Sequence, residues 1–143
     1  MTVIAWDGVT LAADRLVGCG GVKIRGRKIH YFGEFLLGLA GDADIGEEMR
    51  HWFMDGRIAK DFPASARGDK ATLIAISAAG ILRFDSGPYP LHIEDDKCAW
   101  GSGSDFARAA MHLGCDAKAA VEVACLFVTS CGCGIDTLML GAS

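Results

Sequence analysis

A chain of 143 residues fits one domain, 1–143, and with 51% hydrophobic residues it has ample material for a core; at this length folding buries roughly 68–70% of the unfolded chain's surface. A net charge of -4 with scattered carboxylates argues against a nucleic-acid binder and against an acidic tail. The opening MTVIAWDG lacks the segments of a secretory signal, and the longest apolar stretch, 117–129, is short and carries Lys118 and Glu122. The expectation is therefore a soluble, cytoplasmic protein with no membrane partner.

Two short β-prone runs, 3–6 and 10–13, flank Asp7-Gly8, a strong hairpin signal. A glycine-rich stretch, 18–21, breaks the chain. Runs 22–24 and 28–32 about Arg25-Gly26-Arg27 predict a second hairpin, and 36–40 a buried strand. Asp42 or Asp44 caps a helix with Ile45, Met49, Trp52 and Phe53 at helical spacing, ended or interrupted at Gly56. Residues 58–70 read as a short helical piece and a loop. Runs 71–76 and 81–85 form a hairpin about Ala78-Ala79-Gly80, and 86–97 is irregular. A short strand, 98–100, enters Gly101-Ser102-Gly103. Ser104 or Asp105 caps a helix through Leu113, stopped by Gly114, and Asp116 caps another from Ala117 to about Val128. A last strand spans 135–140. This order predicts an α+β fold, two antiparallel sheets with helices outside.

Six cysteines stand at positions 19, 98, 115, 125, 131 and 133. A cytoplasmic chain keeps them reduced. Cys125, Cys131 and Cys133 offer the best zinc set, yet no C-x-x-C pair is present, so buried thiols are the better reading and no metal is expected. His30, His51, His92 and His112 have no clear partners in sequence and read as surface or edge residues.

Four segments carry a family resemblance. Thr2-Val3-Ile4-Ala5 followed by Leu11-Ala12-Ala13-Asp14-Arg15 resembles the opening of proteasome β subunits and of the peptidase subunit of the bacterial two-component heat-shock protease. Lys28-Ile29-His30-Tyr31-Phe32 resembles the strand bearing that family's catalytic lysine. Gly38-Leu39-Ala40-Gly41-Asp42-Ala43 resembles its G-x-x-G-D-A segment, and Gly101-Ser102-Gly103-Ser104 its G-S-G turn before a helix. The likeness runs in order over nearly the whole chain and is nearest to short, self-standing bacterial and phage members. It implies a four-layer αββα sandwich, the N-terminal-nucleophile (Ntn) hydrolase fold.

The resemblance also implies the chemistry. Removal of Met1, usual before a small residue, makes Thr2 both nucleophile and base, because a free α-amine titrates near pH 7.7–8.0. Lys28, chosen over Lys23, Arg25 and Arg27 by the pattern that follows it, favours the neutral amine, and Asp14 holds it. Gly38 is expected to give the oxyanion donor, typically worth ~2.7–4 kcal/mol. Ser102, or less readily Ser104, orients the amine. The resemblance further implies a peptide or unfolded-protein substrate, a homo-oligomeric ring or spiral with contacts from the helices carrying Ile45, Met49, Trp52 and Phe53 and carrying Phe106 and Met111, an unfoldase partner, and no cofactor. One departure stands out. The family's D-x-x-S-G-G pattern before the last strand places its acid on Val128 and its Ser on Cys131 here; Thr129 or Ser130 is left to substitute in part. The rival expectations are a non-catalytic assembly or binding module of the same fold, Ntn chemistry on a small amide, and a cysteine-based metal or redox module.

Overall fold

The computed structural model describes residues 2–18 and 21–141. Cys19 lies outside them, as does Met1. One sheet is ordered β8-β1-β2-β9, from strands β1 (Ile4–Trp6), β2 (Thr10–Asp14), β8 (Cys98–Trp100) and β9 (Ile135–Met139). The other is ordered β3-β4-β5-β6-β7, from β3 (Ile29–Phe32), β4 (Phe35–Gly41), β5 (Ala71–Ser77), β6 (Gly80–Phe84) and β7 (Leu91–Ile93). Every pairing is antiparallel. Helix α1 (Ala43–Met54) follows β4, and α2 (Ser104–His112) and α3 (Ala117–Phe127) follow β8.

Strand alternation decides the layers. In the first sheet Ile4, Trp6, Leu11 and Ala13 face the second sheet, where Leu36, Ala40, Ile74 and Ile76 meet them. The alternate residues Val3, Ala5 and Ala12 lie under α2 and α3 against Ala107, Ala110, Ala120 and Ala124, small side chains that let the helices sit close. In the second sheet Leu37, Leu73 and Ala75 pack against Met49, Trp52 and Phe53 of α1. The result is the expected four-layer αββα sandwich.

The first turn is held by Asp7, whose Oδ1 accepts from the Val9 and Thr10 N–H groups at 2.9 and 2.7 Å. Asp42, not Asp44, caps α1, accepting from Ile45 N–H at 3.0 Å, and Asp116 caps α3 through Ala119 N–H at 2.8 Å.

Three expectations need correction. The second hairpin does not turn at Arg25-Gly26-Arg27. That segment runs back along residues 15–17, with Val17 N–H to Ile24 O and Gly26 N–H to Arg15 O both at 2.8 Å. β3 instead pairs with β4 across Gly33-Glu34, where Gly33 takes a left-handed φ of 55°. The stretch 86–97 is not wholly irregular: β7 pairs with β6 there. It is three residues long and mostly exposed, too short to show an alternation. Ser104 is the first residue of α2, Asp105 lies within its first turn, and the cap position belongs to Gly103, which makes no side-chain bond.

Candidate active site

Thr2 is 4% exposed and sits at the edge where β1 begins. The turn 101–103 wraps it. Gly103 N–H donates to the Thr2 carbonyl at 3.1 Å. Ser102 Oγ donates to the same carbonyl at 3.3 Å and accepts from Thr2 N–H at 3.2 Å. Gly101 adopts φ +93°, and a Cβ there would collide with the Thr2 carbonyl, so only glycine allows this approach.

Beneath Thr2 lies a buried ion pair. Asp14 ends β2 with no exposed surface, and Lys28 stands just before β3 with its side chain 5% exposed. Lys28 Nζ donates to Asp14 Oδ1 at 2.7 Å. The same oxygen accepts from Val3 N–H at 3.0 Å, and Oδ2 accepts from Gly132 N–H at 3.0 Å. Removing a charge from water costs several kcal/mol, and such pairs persist only with good geometry and further hydrogen bonds. Both are present. Asp14 thereby ties together the start of β1, the start of β3 and the loop before β9.

Thr2 and Lys28 line one cavity of about 570 Å³. Val17, Gly18, Arg27, Leu39 and Gly41 form its walls, with Asp42, Ala43, Asp44 and Glu47 from the start of α1. Hydrogen bonds from Arg50 hold the Glu47 carboxyl below its ordinary range, with burial opposing. His30 is half-buried on β3, the edge strand of its sheet, and burial lowers its pKa, with Arg50 adding to the effect. His51, His92 and His112 are exposed, as expected.

Gly38 does not reach this cavity. The bonds Leu39 N–H to Lys28 O and Asp42 N–H to Lys70 O, both 2.9 Å, set the alternation along β4. Odd-numbered N–H groups point toward β3 and even-numbered ones toward β5. The Gly38 N–H is therefore committed to the β4–β5 ladder opposite Ile74, and its Cα faces Ile4 between the sheets. Gly41 has the other parity. Its N–H points to the β3 side, past the end of that strand, where the cavity opens. Its φ of +95° and the Lys70 carbonyl against its Cα both require glycine. Of the two glycines in this segment it is thus Gly41, not Gly38, whose N–H is directed to the cavity. The signal was in the sequence, as the second glycine of the same segment, at the strand-to-helix junction.

The loop before β9 completes the surroundings. Ser130 Oγ is 3.3 Å from Ser102 Oγ, and Cys131 Sγ is 4.0 Å from it. Burial raises the Cys131 pKa, with Asp14 adding, so the thiol is a neutral neighbour. Thr129 is exposed, and Ser104 lines a neighbouring depression with Gly101 and Gly41. Val128 packs at the edge of the α2–α3 core, so no carboxylate comes from that position. The Gly132 N–H bond to Asp14 escaped sequence reasoning; only the glycine-rich composition of 132–134 hinted at it. Among the described residues no group of His, Cys, Asp or Glu is arranged to hold a metal ion.

No family model matches the chain, and no curated protein matches it. Solved structures do. BPH from Thiobacillus denitrificans superposes with a TM-score of 0.73 at 19% identity, covering 100% of both chains. The same protein in complex with epoxomicin gives 0.74 at 19% identity, over 99% of this chain and 100% of that one. Eukaryotic HslV from Trypanosoma brucei gives 0.67 at 21% identity, over 96% of this chain and 97% of that one. The Anbu (Gly-1) mutant from Hyphomicrobium sp. strain MC1 gives 0.74 at 11% identity, over 97% and 81%. The chain has the Ntn-hydrolase fold of these proteasome-like proteins.

Proposed function

We propose that this chain is a threonine-type peptide hydrolase whose nucleophile and base are the hydroxyl and freed α-amine of Thr2 after Met1 is removed. The observation that carries the reading is the buried Lys28–Asp14 pair, whose lysine lines one cavity with Thr2. A fold has no structural need to bury a cation there, and the cost of doing so is explained by a task at Thr2.

The α-amine takes the Oγ proton, and Oγ attacks the substrate carbonyl carbon. The Gly41 N–H stabilises the oxyanion. Collapse breaks the C–N bond, and the ammonium returns its proton to the departing amine. Water, deprotonated by the same amine, then hydrolyses the Thr2 ester. Lys28 lowers the amine's proton affinity, Asp14 positions Lys28, and Ser102 with Ser130 holds the amine's orientation. No metal or organic cofactor enters the scheme. The substrates are peptides or unfolded segments, the working form is a homo-oligomeric ring or spiral in the cytoplasm, and an unfoldase delivers substrate.

The test is labelling by a peptide electrophile directed at N-terminal Thr, epoxomicin among them because a neighbour of this fold was solved with it. Wild type is expected to gain one adduct on Thr2, and Thr2→Ala none. An adduct that persists in Thr2→Ala ends the assignment. One observation favours a second reading, a non-catalytic assembly or binding module: Val128, packed against the α2–α3 core, stands where the pattern of the resembled family has an acid. Native protein that retains Met1 by intact mass supports that module, and its loss supports the enzyme.

A further inference from the structure

The cavity beside Thr2 has a charge pattern that the bond-breaking steps do not require. Asp44 and Glu47, on α1, line it together with the apolar Val17, Leu39 and Ala43. Lys28 is matched by Asp14 at 2.7 Å, so it leaves no surplus positive charge for these carboxylates. Asp42 is occupied by the Ile45 N–H, and Glu47 shares its charge with Arg50 at 2.7 Å. Arg27 also lines the cavity, so three carboxylates, Asp42, Asp44 and Glu47, face one cation there beyond the Lys28–Asp14 pair.

Across Gly41 the sign reverses. A depression of about 450 Å³ shares Gly41 with the cavity and is lined by Lys70, Arg83 and Arg108 against one carboxylate, Asp69. Asp85 takes up Arg83 at 3.0 Å, which leaves Lys70 and Arg108 in excess. The oxyanion donor therefore sits on a boundary between an acidic and a basic hollow.

Geometry decides which half of a substrate lies in which. The attacked carbonyl must lie over Thr2, and of these two hollows it is the acidic one that Thr2 lines. The departing amine collects its proton from the Thr2 amine, which Ser102 holds on the side of Gly101 and Ser104, and those two residues line the basic hollow. The acyl-side side chain thus enters the acidic cavity.

We infer that the site selects peptides with a cationic side chain, Lys or Arg, on the acyl side of the cleaved bond. The aliphatic stem lies along Val17, Leu39 and Ala43, and the charge reaches Asp44 and Glu47. The basic hollow fixes the register, because a cation placed there meets Lys70 and Arg108. This inference rests on the Thr2 reading above.

Protein verified by mass to lack Met1 is reacted with three tripeptide electrophiles alike except for a terminal Arg, Leu or Glu. Thr2 is expected to be labelled by the Arg probe roughly tenfold faster than by the Leu probe, with Glu slowest. The pair Asp44→Asn with Glu47→Gln is expected to bring the Arg-to-Leu ratio close to one. Asp44→Asn alone, at an exposed position, shifts it the same way. Equal labelling by all three probes, absent in Thr2→Ala, overturns the selectivity and leaves the nucleophile standing. No labelling by any probe overturns both. A ratio unmoved in the variants overturns the assignment to Asp44 and Glu47.

Discussion

Asp14 does more than hold Lys28, and the difference is measurable. Its Oδ1 serves Lys28 and the Val3 N–H, and its Oδ2 serves the Gly132 N–H. Lys28→Met removes the cation and leaves Asp14 with two backbone donors. Asp14→Ala takes the carboxylate away from the buried Lys28 ammonium and from the Val3 and Gly132 N–H groups at once. Breaking a buried pair costs about 3–5 kcal/mol, and each unsatisfied buried donor adds ~1–3 kcal/mol. Asp14→Ala is therefore expected to be the less stable variant in urea denaturation, and both are expected to lose Thr2 labelling. A folded Lys28→Met that labels at the wild-type rate would remove Lys28 from the mechanism. At this scale the motifs that carry the resemblance were informative about side chains: Thr2, Asp14, Lys28 and Ser102 lie close together in the structure. They were less informative about which backbone N–H faces the cavity. Gly38 and Gly41 differ only in strand parity, which depends on what each neighbouring strand bonds, and that pairing is set by residues far along the chain.

Between elements, Asp7 links the β1–β2 turn to α3. Besides its two turn bonds, its Oδ2 accepts from the Ala117 N–H, the first residue of α3, at 2.8 Å. Burial pushes its pKa up, but the Thr10, Ala117 and Val9 N–H groups outweigh burial and hold it below the ordinary 3.8. A folded-state pKa below the unfolded one gives stability that is full above the unfolded value and lost as pH falls through the folded one. Asp7→Asn has a single acceptor oxygen and cannot serve both the turn and α3. It is expected to be roughly 1–2 kcal/mol less stable at pH 7, a Tm lower by about 3–8 °C. The gap between wild type and variant should narrow as pH falls below about 4, read by thermal melts across a pH series; a gap that stays constant would mean the carboxylate charge is irrelevant. Elements with their own signals were legible: the Asp7 turn, the Asp42 and Asp116 caps, and the apolar runs of β1, β2, β4 and β5. The segment 22–26 and strand β7 were not. Each is defined by the partner it lies against, residues 15–17 in one case and β6 in the other.

For the whole molecule, the four layers determine which apolar residues remain for contacts between copies. The resemblance pointed to the helices carrying Ile45, Met49, Trp52 and Phe53 and carrying Phe106 and Met111; of these residues Met49, Trp52 and Phe53 are buried against the second sheet and Met111 against the first, Ile45 is partly buried, and Phe106 is exposed. Among the large apolar residues that stay outside, Phe106, Leu113, Leu126 and Phe127 lie on α2, α3 and the turn between them. Phe106 stacks on Phe127 with ring centroids 5.4 Å apart and planes at 16°, and beside the pair Leu126 is 78% and Phe127 65% exposed. Both residues end α3, away from the side that Ala117, Ala120, Val121 and Ala124 press onto the first sheet. An exposed aromatic stack of this kind loses water contact only if another surface covers it. In the oligomer proposed above, that surface is a neighbouring copy. Light scattering of the wild type is then expected to give a multiple of the chain mass. The pair Leu126→Ser with Phe127→Ser is expected to move it to one chain mass, with little change in Tm measured on the separated chains, since neither side chain belongs to the interior. A wild type that runs as a single chain at high protein concentration would leave this face without a copy to cover it, and the assembly would have to be given up while the fold and Thr2 chemistry stood.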